Sequence, residues 1–452
     1  MRKLLEATAQ RAISYLESLD ERSVAPSKEA VHGLTALNQP LQQEPMDPES
    51  VIRELDESIS PATMAMAGQR FFGFVIGGSL PAALAANWMT GAWDQNTAYY
   101  EATPGTAILE QTALRWILDL LQLPSTCGGA FVTGATMANF TALAAARNAV
   151  LSRVGWKVES DGLFKAPPIN VIVSAEAHPS LLKSLGLLGL GRSRVTRVPV
   201  DEQGRMRSEE LRVSSDPTIV CVQAGNVNTG AFDPIREICN RAHRAGAWVH
   251  VDGAFGLWAR ISPSREHLIV GLEDADSWAT DFHKYLNVPY DSGLAIVRER
   301  DTLRAAMAVT AEYLPAKDEH RNPSDYTPEL SRRARGVEVW AALRSLGRSG
   351  LVDLVERTCA HANRFAEGLR AAGYMVLNDV VLNQVLVSFR DAETTMKVIA
   401  ELQEEGTCWC GKTVWQGQTA MRISVSSWAT TDADVERSLE TMVRIAAKHI
   451  KS

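Results

Sequence analysis

The chain reads as an α/β protein, with a mainly parallel sheet in a large unit followed by a smaller α+β unit. Three observations lead there. From residue 105 to about residue 300, helical and strand-like patterns alternate. Several of the strand-like runs are almost continuously apolar, the mark of strands covered on both faces of a parallel sheet. From about Glu299 the order changes to helices and strands that fit a helix–strand–strand–helix unit. At 452 residues the chain exceeds what one hydrophobic core supports. The expected divisions are an N-terminal helical segment (1–60), a large unit (61–305) and a small C-terminal unit (306–452).

The elements follow in order. Met1–Leu16 has an amphipathic pattern with Glu6 inside it, which predicts a folded helix rather than a signal or transit peptide. Thr106–Leu121 places Ile108, Leu109, Ala113, Trp116, Ile117 and Leu120 at helical spacing, and Thr136–Leu151 is rich in alanine. Strands are expected at Ile169–Ser174, Arg194–Val200, Thr218–Val222, Ala247–Val251, Ser277–Thr280 and Gly293–Val297. A helix at Pro234–Ala245 joins two of them in a right-handed crossover. Val337–Leu346 and Leu351–Ala372 read as helices, Tyr374–Val376 and Val381–Phe389 as strands, Thr395–Glu405 as a helix and Thr419–Val425 as a strand. Thr431-Asp-Ala-Asp434 opens the last helix as a capping box, with Val435, Leu439, Met442 and Ala446 as its buried stripe. The polar stretch Pro315–Pro328 is expected to be a mobile loop.

Composition narrows the partners. A hydrophobic fraction of 46%, a charged fraction of 22% and a net charge of −7 are those of a soluble globular protein. They argue against nucleic acid or an anionic membrane as the main partner. The apolar stretch Ser79–Trp93 is broken by Pro81, Asn87 and Gly91, and no stretch reaches the roughly 20 residues of a membrane span. Of the six cysteines only Cys408 and Cys410 lie close together, at a spacing of neither a zinc ribbon nor a thioredoxin motif. No disulfide framework and no metal are expected, and a reducing cytoplasm is the expected location.

The chemistry concentrates at the ends of strand-like runs. Lys284 closes Ser277-Trp-Ala-Thr-Asp-Phe-His-Lys284, and Asp252 follows the preceding strand in His250-Val-Asp-Gly-Ala-Phe-Gly256. A lysine there can form an imine with an aldehyde cofactor, and a neighbouring carboxylate can keep a pyridine nitrogen protonated, so the pair suggests pyridoxal phosphate (PLP). Alone, each has a bland reading as a surface lysine or a turn cap. Phe131-Val-Thr-Gly-Ala-Thr-Met137 sends a strand through a glycine turn into a helix, whose N–H groups and dipole suit a phosphate, with Gly134 allowing close approach and Thr136 adding a hydroxyl. His178, after the strand ending at Ser174, can stack on an aromatic ring or simply bond backbone. Asn226, in Gly225-Asn-Val-Asn-Thr-Gly230, can donate to a phenolic oxygen or relieve strain in a turn. Ala254 lies near the same face. Four strand ends thus converge where an open α/β sheet binds its ligands. A nicotinamide-binding fold fails on the missing Gly-x-Gly-x-x-Gly.

These residues resemble the group II PLP-dependent decarboxylases, a family that includes aromatic-amino-acid, tyrosine and glutamate decarboxylases and, more distantly, sphingosine-phosphate lyase. The likeness runs from about residue 60 to the end. It is carried by Phe71-Phe-Gly-Phe74, Thr133-Gly-Ala-Thr-Met-Ala-Asn139, His178, Asn228-Thr-Gly-Ala-Phe-Asp233, His250-Val-Asp-Gly-Ala254, Asp281-Phe-His-Lys284 and Met421-Arg-Ile-Ser424. The resemblance implies PLP-dependent fold type I, with Lys284 bonded to the cofactor, Asp252 at the pyridine nitrogen and His178 over the ring. It also implies Gly134, Ala135, Thr136, Asn226, Ala254, Asp281 and His283 around the cofactor and Arg422 at the substrate carboxylate. Phe71, Phe72, Phe74 and Trp93 fall in a segment that lines the pocket in the relatives, which favours an aromatic substrate against a competing reading as core. The loop tyrosine that returns a proton matches Tyr326, with Tyr313 as the alternative. The relatives are homodimers with the site at the interface, and the helical N-terminal segment suits that role. Three positions depart from the family pattern: Ala135 replaces a second glycine, Phe282 a proline or small residue, and Gly68-Gln-Arg70 a His-Pro pair. The expected activity is release of carbon dioxide from an L-amino acid. Other PLP outcomes (carbon–carbon lysis, transamination, aldehyde formation) and a catalytically silent relative are the alternatives.

Overall fold

The computed structural model describes residues 1–309 and 320–451. Seven strands form the large sheet: β1 (Gly128–Val132), β2 (Asn170–Ser174), β3 (Thr196–Val198), β4 (Thr218–Gln223), β5 (Trp248–Asp252), β6 (Ser277–Asp281) and β7 (Gly293–Val297). Their spatial order is β1-β7-β6-β5-β4-β2-β3. Strands β3, β2, β4, β5 and β6 pair in parallel, and β7 runs against both of its neighbours. Strands β1, β4, β5, β6 and β7 are buried along their whole length, polar residues included, as strands covered on both faces are. Register sets Gln223, Asp252 and Ala279 side by side, so three carboxyl ends meet at one edge.

Helices cover both faces. The helix Ala135–Ser152 lies on one face, where Ala138, Ala142, Ala144, Ala145 and Ala146 are buried against Ala279 and Ala295 of the strands. Their small side chains let the helix axis approach the sheet closely. The other face is built from larger groups, with Trp258, Trp278, Phe131, Phe282 and Ile117 in one cluster. The strand–helix–strand unit β4, Ile235–Arg244, β5 is present as the pattern predicts.

The C-terminal sheet is antiparallel, in the order β10-β11-β9-β8: β8 (Met375–Val376), β9 (Gln384–Ser388), β10 (Gly411–Trp415) and β11 (Gln418–Ser424). Strand β10 goes unread in the sequence because it is an edge strand of mixed polarity in which only Trp415 is buried. The two helices expected at 337–372 form one run, Gly336–Ala371, broken at Gly347, whose φ of 60° lies outside helical space. The first part of this run packs into the large-sheet core through Val339, Leu343, Leu351, Val355 and Cys359. Its later part packs into the small-sheet core through Ala362, Phe365 and Leu369. The last helix, Asp432–Lys451, opens with the expected reciprocal cap: Thr431 Oγ1 accepts from Asp434 N–H, and Asp434 Oδ2 accepts from Thr431 N–H. The N-terminal helix Arg2–Glu17 buries none of its residues.

Candidate active site

The turn between β1 and the helix Ala135–Ser152 has the character of an anion cradle. Gly134 takes φ 157° with ψ 179°, which L side chains rarely adopt, and a Cβ there would sit 3.1 Å from Asp281 Oδ1. Behind it, a Cβ on Gly293 would lie 2.5 Å from Gly134 Cα, so both positions require glycine for β1 and β7 to approach. The helix then starts with N–H groups that its own ladder leaves without partners. One of them, on Ala135, donates to Asp281 Oδ1 at 2.5 Å. Ala135 thus serves through its backbone, and the methyl in place of a second glycine leaves the turn intact.

Asp281, at the end of β6, organises the lysine. Its Oδ2 lies 3.0 Å from Lys284 Nζ, and its Oδ1 lies 3.6 Å from His283 Nδ1. The Lys284 ammonium also sits 5.6 Å from the centre of the Phe255 ring. His283 stacks on Tyr290 with ring centres 4.3 Å apart, and burial lowers its pKa. Phe282 points away from this group, into the core against Phe131 and Trp258. Its bulk is therefore a packing feature of the opposite face of the sheet.

Asp252, at the end of β5, is 5% exposed and accepts one hydrogen bond, from Asn139 Nδ2 to Oδ2 at 3.2 Å. Burial raises its pKa, while His178, Lys284 and the Asn139 hydrogen bond pull it back. His178 caps the helix Pro179–Leu187, with Nδ1 accepting from Ser180 N–H at 3.2 Å. Burial lowers the His178 pKa, Asp252 and Asp281 oppose that, and Lys284 and Arg422 reinforce it. These mutual influences place His178, Asp252, Asp281, Lys284 and Arg422 in one electrostatic group. Arg422, from β11, donates to Asn228 Oδ1 at 3.3 Å, and burial lowers its pKa. Ala254 accepts from the Asp281 N–H at 2.9 Å, which keeps a small, half-buried residue beside the group.

Other expected site residues lie elsewhere. Asn226 is a turn residue: its Oδ1 accepts from Asn228 and Thr229 N–H, and its Nδ2 donates to Gln223. The side chain of this turn that meets the site is Asn228. Phe71 and Phe72 are core residues, Phe71 stacked on Trp409 and Phe72 edge-on to Phe365. Phe74 is 56% exposed and tilts against Trp409. Phe74 and Val75 have φ values of 53° and 59°, a strained pair for residues with side chains. Their segment rests on the lysine turn, since Gly77 N–H donates to the His283 carbonyl at 3.0 Å. Of the departing tripeptide, Arg70 is a buried clamp that donates to the carbonyls of Thr407 and Asp20 and pairs with Asp434. Tyr326 is 7% exposed in the turn Pro323–Tyr326, packed in the core under the Arg321 guanidinium. Such burial does not fit a mobile proton donor. Tyr313 and the first part of the expected loop lie outside the described residues.

A PLP molecule needs an amine for its aldehyde, a carboxylate for its ring nitrogen, donors for its phosphate and a flat group for its ring. The group offers all four, and among the described residues Asp252 Oδ1 carries no hydrogen bond from the protein. The residues fit the cofactor. Sequence reasoning did not assign roles to Asn139, His250, Phe255, Asn228 or Gly293. All but Gly293 stand inside quoted motifs, and only tertiary contacts give them functions.

Comparison with known proteins agrees with this geometry. Residues 32–391 match the model of the pyridoxal-dependent decarboxylase conserved domain. An L-2,4-diaminobutyrate decarboxylase from Rhizobium meliloti (strain 1021) is 30% identical over 80% of this chain and 74% of its own. An aromatic-L-amino-acid decarboxylase from Bacillus atrophaeus is 24% identical over 99% of this chain and 95% of its own. Among solved structures, Oryza sativa TDC with PLP and tryptamine superposes with a TM-score of 0.91 at 24% identity, covering 99% of this chain and 97% of that one. Mouse CSAD superposes at 0.88 and 23% identity, covering 98% of each chain. At these identities the superpositions establish the shared fold.

Proposed function

Because the chain belongs to the pyridoxal-dependent decarboxylase family, we propose that it removes carbon dioxide from an L-amino acid with an aromatic side chain. The enzyme class is that of a PLP-dependent amino-acid carboxy-lyase. When bound, the cofactor supplies the sink for the electron pair left by the departing carboxylate. Lys284 would supply the amine that holds the cofactor by its aldehyde. Asp252, buried at the end of β5, would face the ring nitrogen and favour its protonated form. His178 would cover the ring, Ala135, Thr136 and His283 would hold the phosphate, and Arg422, whose planar guanidinium suits a carboxylate, would receive that of the substrate. Carrying this reading is one observation: Lys284 Nζ, 3.0 Å from Asp281, shares an electrostatic group with Asp252 and His178 at the carboxyl edge of the sheet.

The aromatic preference is supported by Phe74, whose exposed ring leans on Trp409 in the segment resting on the lysine turn. Phe71 and Phe72 lend it no support, being core. For the returning proton we assign Tyr313, because Tyr326 is locked in the core. A homodimer is supported by the helix Pro81–Trp93, which buries only Ala83 and Thr90 and leaves Trp88, Met89 and Trp93 exposed. A cytoplasmic location is supported by six cysteines that are all buried free thiols. No described helix is long and apolar enough to cross a membrane.

The test is carbon dioxide release from L-tryptophan, L-tyrosine, L-phenylalanine, L-glutamate and L-2,4-diaminobutyrate offered separately to the PLP-loaded protein. Preferential turnover of an aromatic substrate to its amine supports the proposal. Turnover of glutamate or diaminobutyrate alone overturns the aromatic assignment and leaves the reaction class standing.

A further inference from the structure

Behind Asp252 lies a line of buried polar groups that the mechanism above does not use. Trp248, His250 and Asp252 alternate along β5, so all three side chains leave the same face of the strand. That face meets the helix carrying Asn139, and Ser277 of β6 is the register partner of His250. Trp248 Nε1 contacts Ser277 Oγ at 2.8 Å, Ser277 Oγ contacts His250 Nδ1 at 2.9 Å, and His250 Nε2 contacts Asn139 Oδ1 at 2.8 Å. Asn139 Nδ2 then reaches Asp252 Oδ2 at 3.2 Å. Asn139, His250 and Ser277 are wholly buried.

Donor chemistry gives this line a single direction. An indole N–H only donates, so Ser277 Oγ accepts from Trp248 and keeps its own hydrogen and a second lone pair for His250 Nδ1. The other end decides: a carboxylate only accepts, which turns the Asn139 amide N–H to Asp252 and its oxygen to His250, so His250 carries its proton on Nε2 and, as a neutral ring, accepts from Ser277 at Nδ1. Burial keeps the ring neutral, with a pKa of about 3.

We infer that Asn139 and His250 are positioning residues for Asp252: the one-way line of hydrogen bonds fixes one carboxylate oxygen and leaves the other free for the cofactor's ring nitrogen. The inference rests on the cofactor reading of the site. Asn139→Leu and His250→Phe remove the line at similar volume, whereas His250→Gln keeps a neutral donor toward Asn139 and an acceptor toward Ser277.

The experiment titrates each apo protein with PLP, following the visible band of the lysine-bound cofactor and its pH dependence, and records the histidine ¹⁵N spectrum of the apo wild type. The line predicts affinity weakened by roughly 10-fold or more in Asn139→Leu and His250→Phe, with a displaced band titration, and His250→Gln within about threefold of wild type. It also predicts a neutral His250 protonated on Nε2 at pH 7. Wild-type affinity in Asn139→Leu, no rescue by glutamine, or a His250 proton on Nδ1 would overturn the inference. If the two apolar variants fail to fold, the ¹⁵N spectrum and His250→Gln decide it. A wild-type protein with no visible band overturns the cofactor reading itself, which separates that failure from this one.

Discussion

A buried carboxylate beside a lysine is tolerated in a protein interior only when neighbouring groups or a ligand satisfy it. Asp252 shows how this chain manages the cost. It receives one amide donor, from Asn139, and shares the fields of His178 and Lys284. Behind it His250 has its pKa lowered from 6.5 to about 3 by burial, so the unfolded chain binds a proton that the native protein refuses between those values. The sign follows: this contribution to stability is complete above pH 6.5 and is lost as pH falls toward 3. We expect apo-protein stability, measured by denaturant unfolding at a series of pH values, to lose up to about 1.4 kcal/mol per pH unit from this group. His250→Gln should flatten that part of the curve; an unchanged slope would refute the assignment to His250. The two tyrosines make a second residue-scale test. Tyr326→Phe should leave the product and the rate within about twofold of wild type, since its hydroxyl has no hydrogen-bond partner among the described residues. Tyr313→Phe should slow amine formation by about a hundredfold or more, or divert product to aldehyde, as judged by chromatography of the reaction mixture.

At the scale of elements, the site depends on two backbones meeting where no side chain fits. The Gly134 turn and the first residue of β7 approach until a Cβ on Gly293 would collide with Gly134 Cα at 2.5 Å. Gly293→Ala should therefore push the phosphate turn off the strand, costing about 1–3 kcal/mol of stability. PLP affinity should fall with it. Thermal unfolding of the apo protein and cofactor titration read the two effects separately, and a variant with wild-type values in both would show that the turn yields freely. The same logic explains what the sequence made legible. Thr133-Gly-Ala-Thr and Asp281-Phe-His-Lys284 are local motifs whose spacing survives in the chain, and the turn and the lysine are where they predict. Asn226 and Tyr326 were not legible, because a turn asparagine and a ligand asparagine look alike in sequence, as do a core tyrosine and a loop tyrosine. Burial and hydrogen-bond partners separate them.

At the scale of the molecule, the helix Pro81–Trp93 is apolar on nearly every side yet buries only two residues. With Trp88, Met89, Trp93 and Ile108 exposed nearby in sequence, and the helix Arg2–Glu17 burying nothing, the chain leaves apolar surface that a second copy would cover. Sedimentation should find a dimer at micromolar concentration, and Trp88→Glu with Met89→Glu should shift it to monomer with loss of carbon dioxide release. A wild-type monomer with full activity would remove the dimer from the account. Internally, the run Gly336–Ala371 belongs to both cores, passing from the large-sheet core at Cys359 to the small-sheet core at Ala362. Arg422 on the small sheet thereby faces a site built on the large one, through Asn228.

The sequence by itself determined the alternation of helix and strand and the buried character of the parallel strands, and it pointed to the lysine, carboxylate, histidine and glycine turn of the candidate site. Those signals are periodicity and short motifs, which the chain carries locally. The tertiary structure alone decided that Phe71 and Phe72 are core, that Phe282 packs on the far face, that Asn228 rather than Asn226 meets Arg422, and that Trp248, Ser277, His250 and Asn139 line up behind Asp252. Each depends on which face a side chain leaves and on what a distant segment brings to it. Sheet register and helix placement set those contacts.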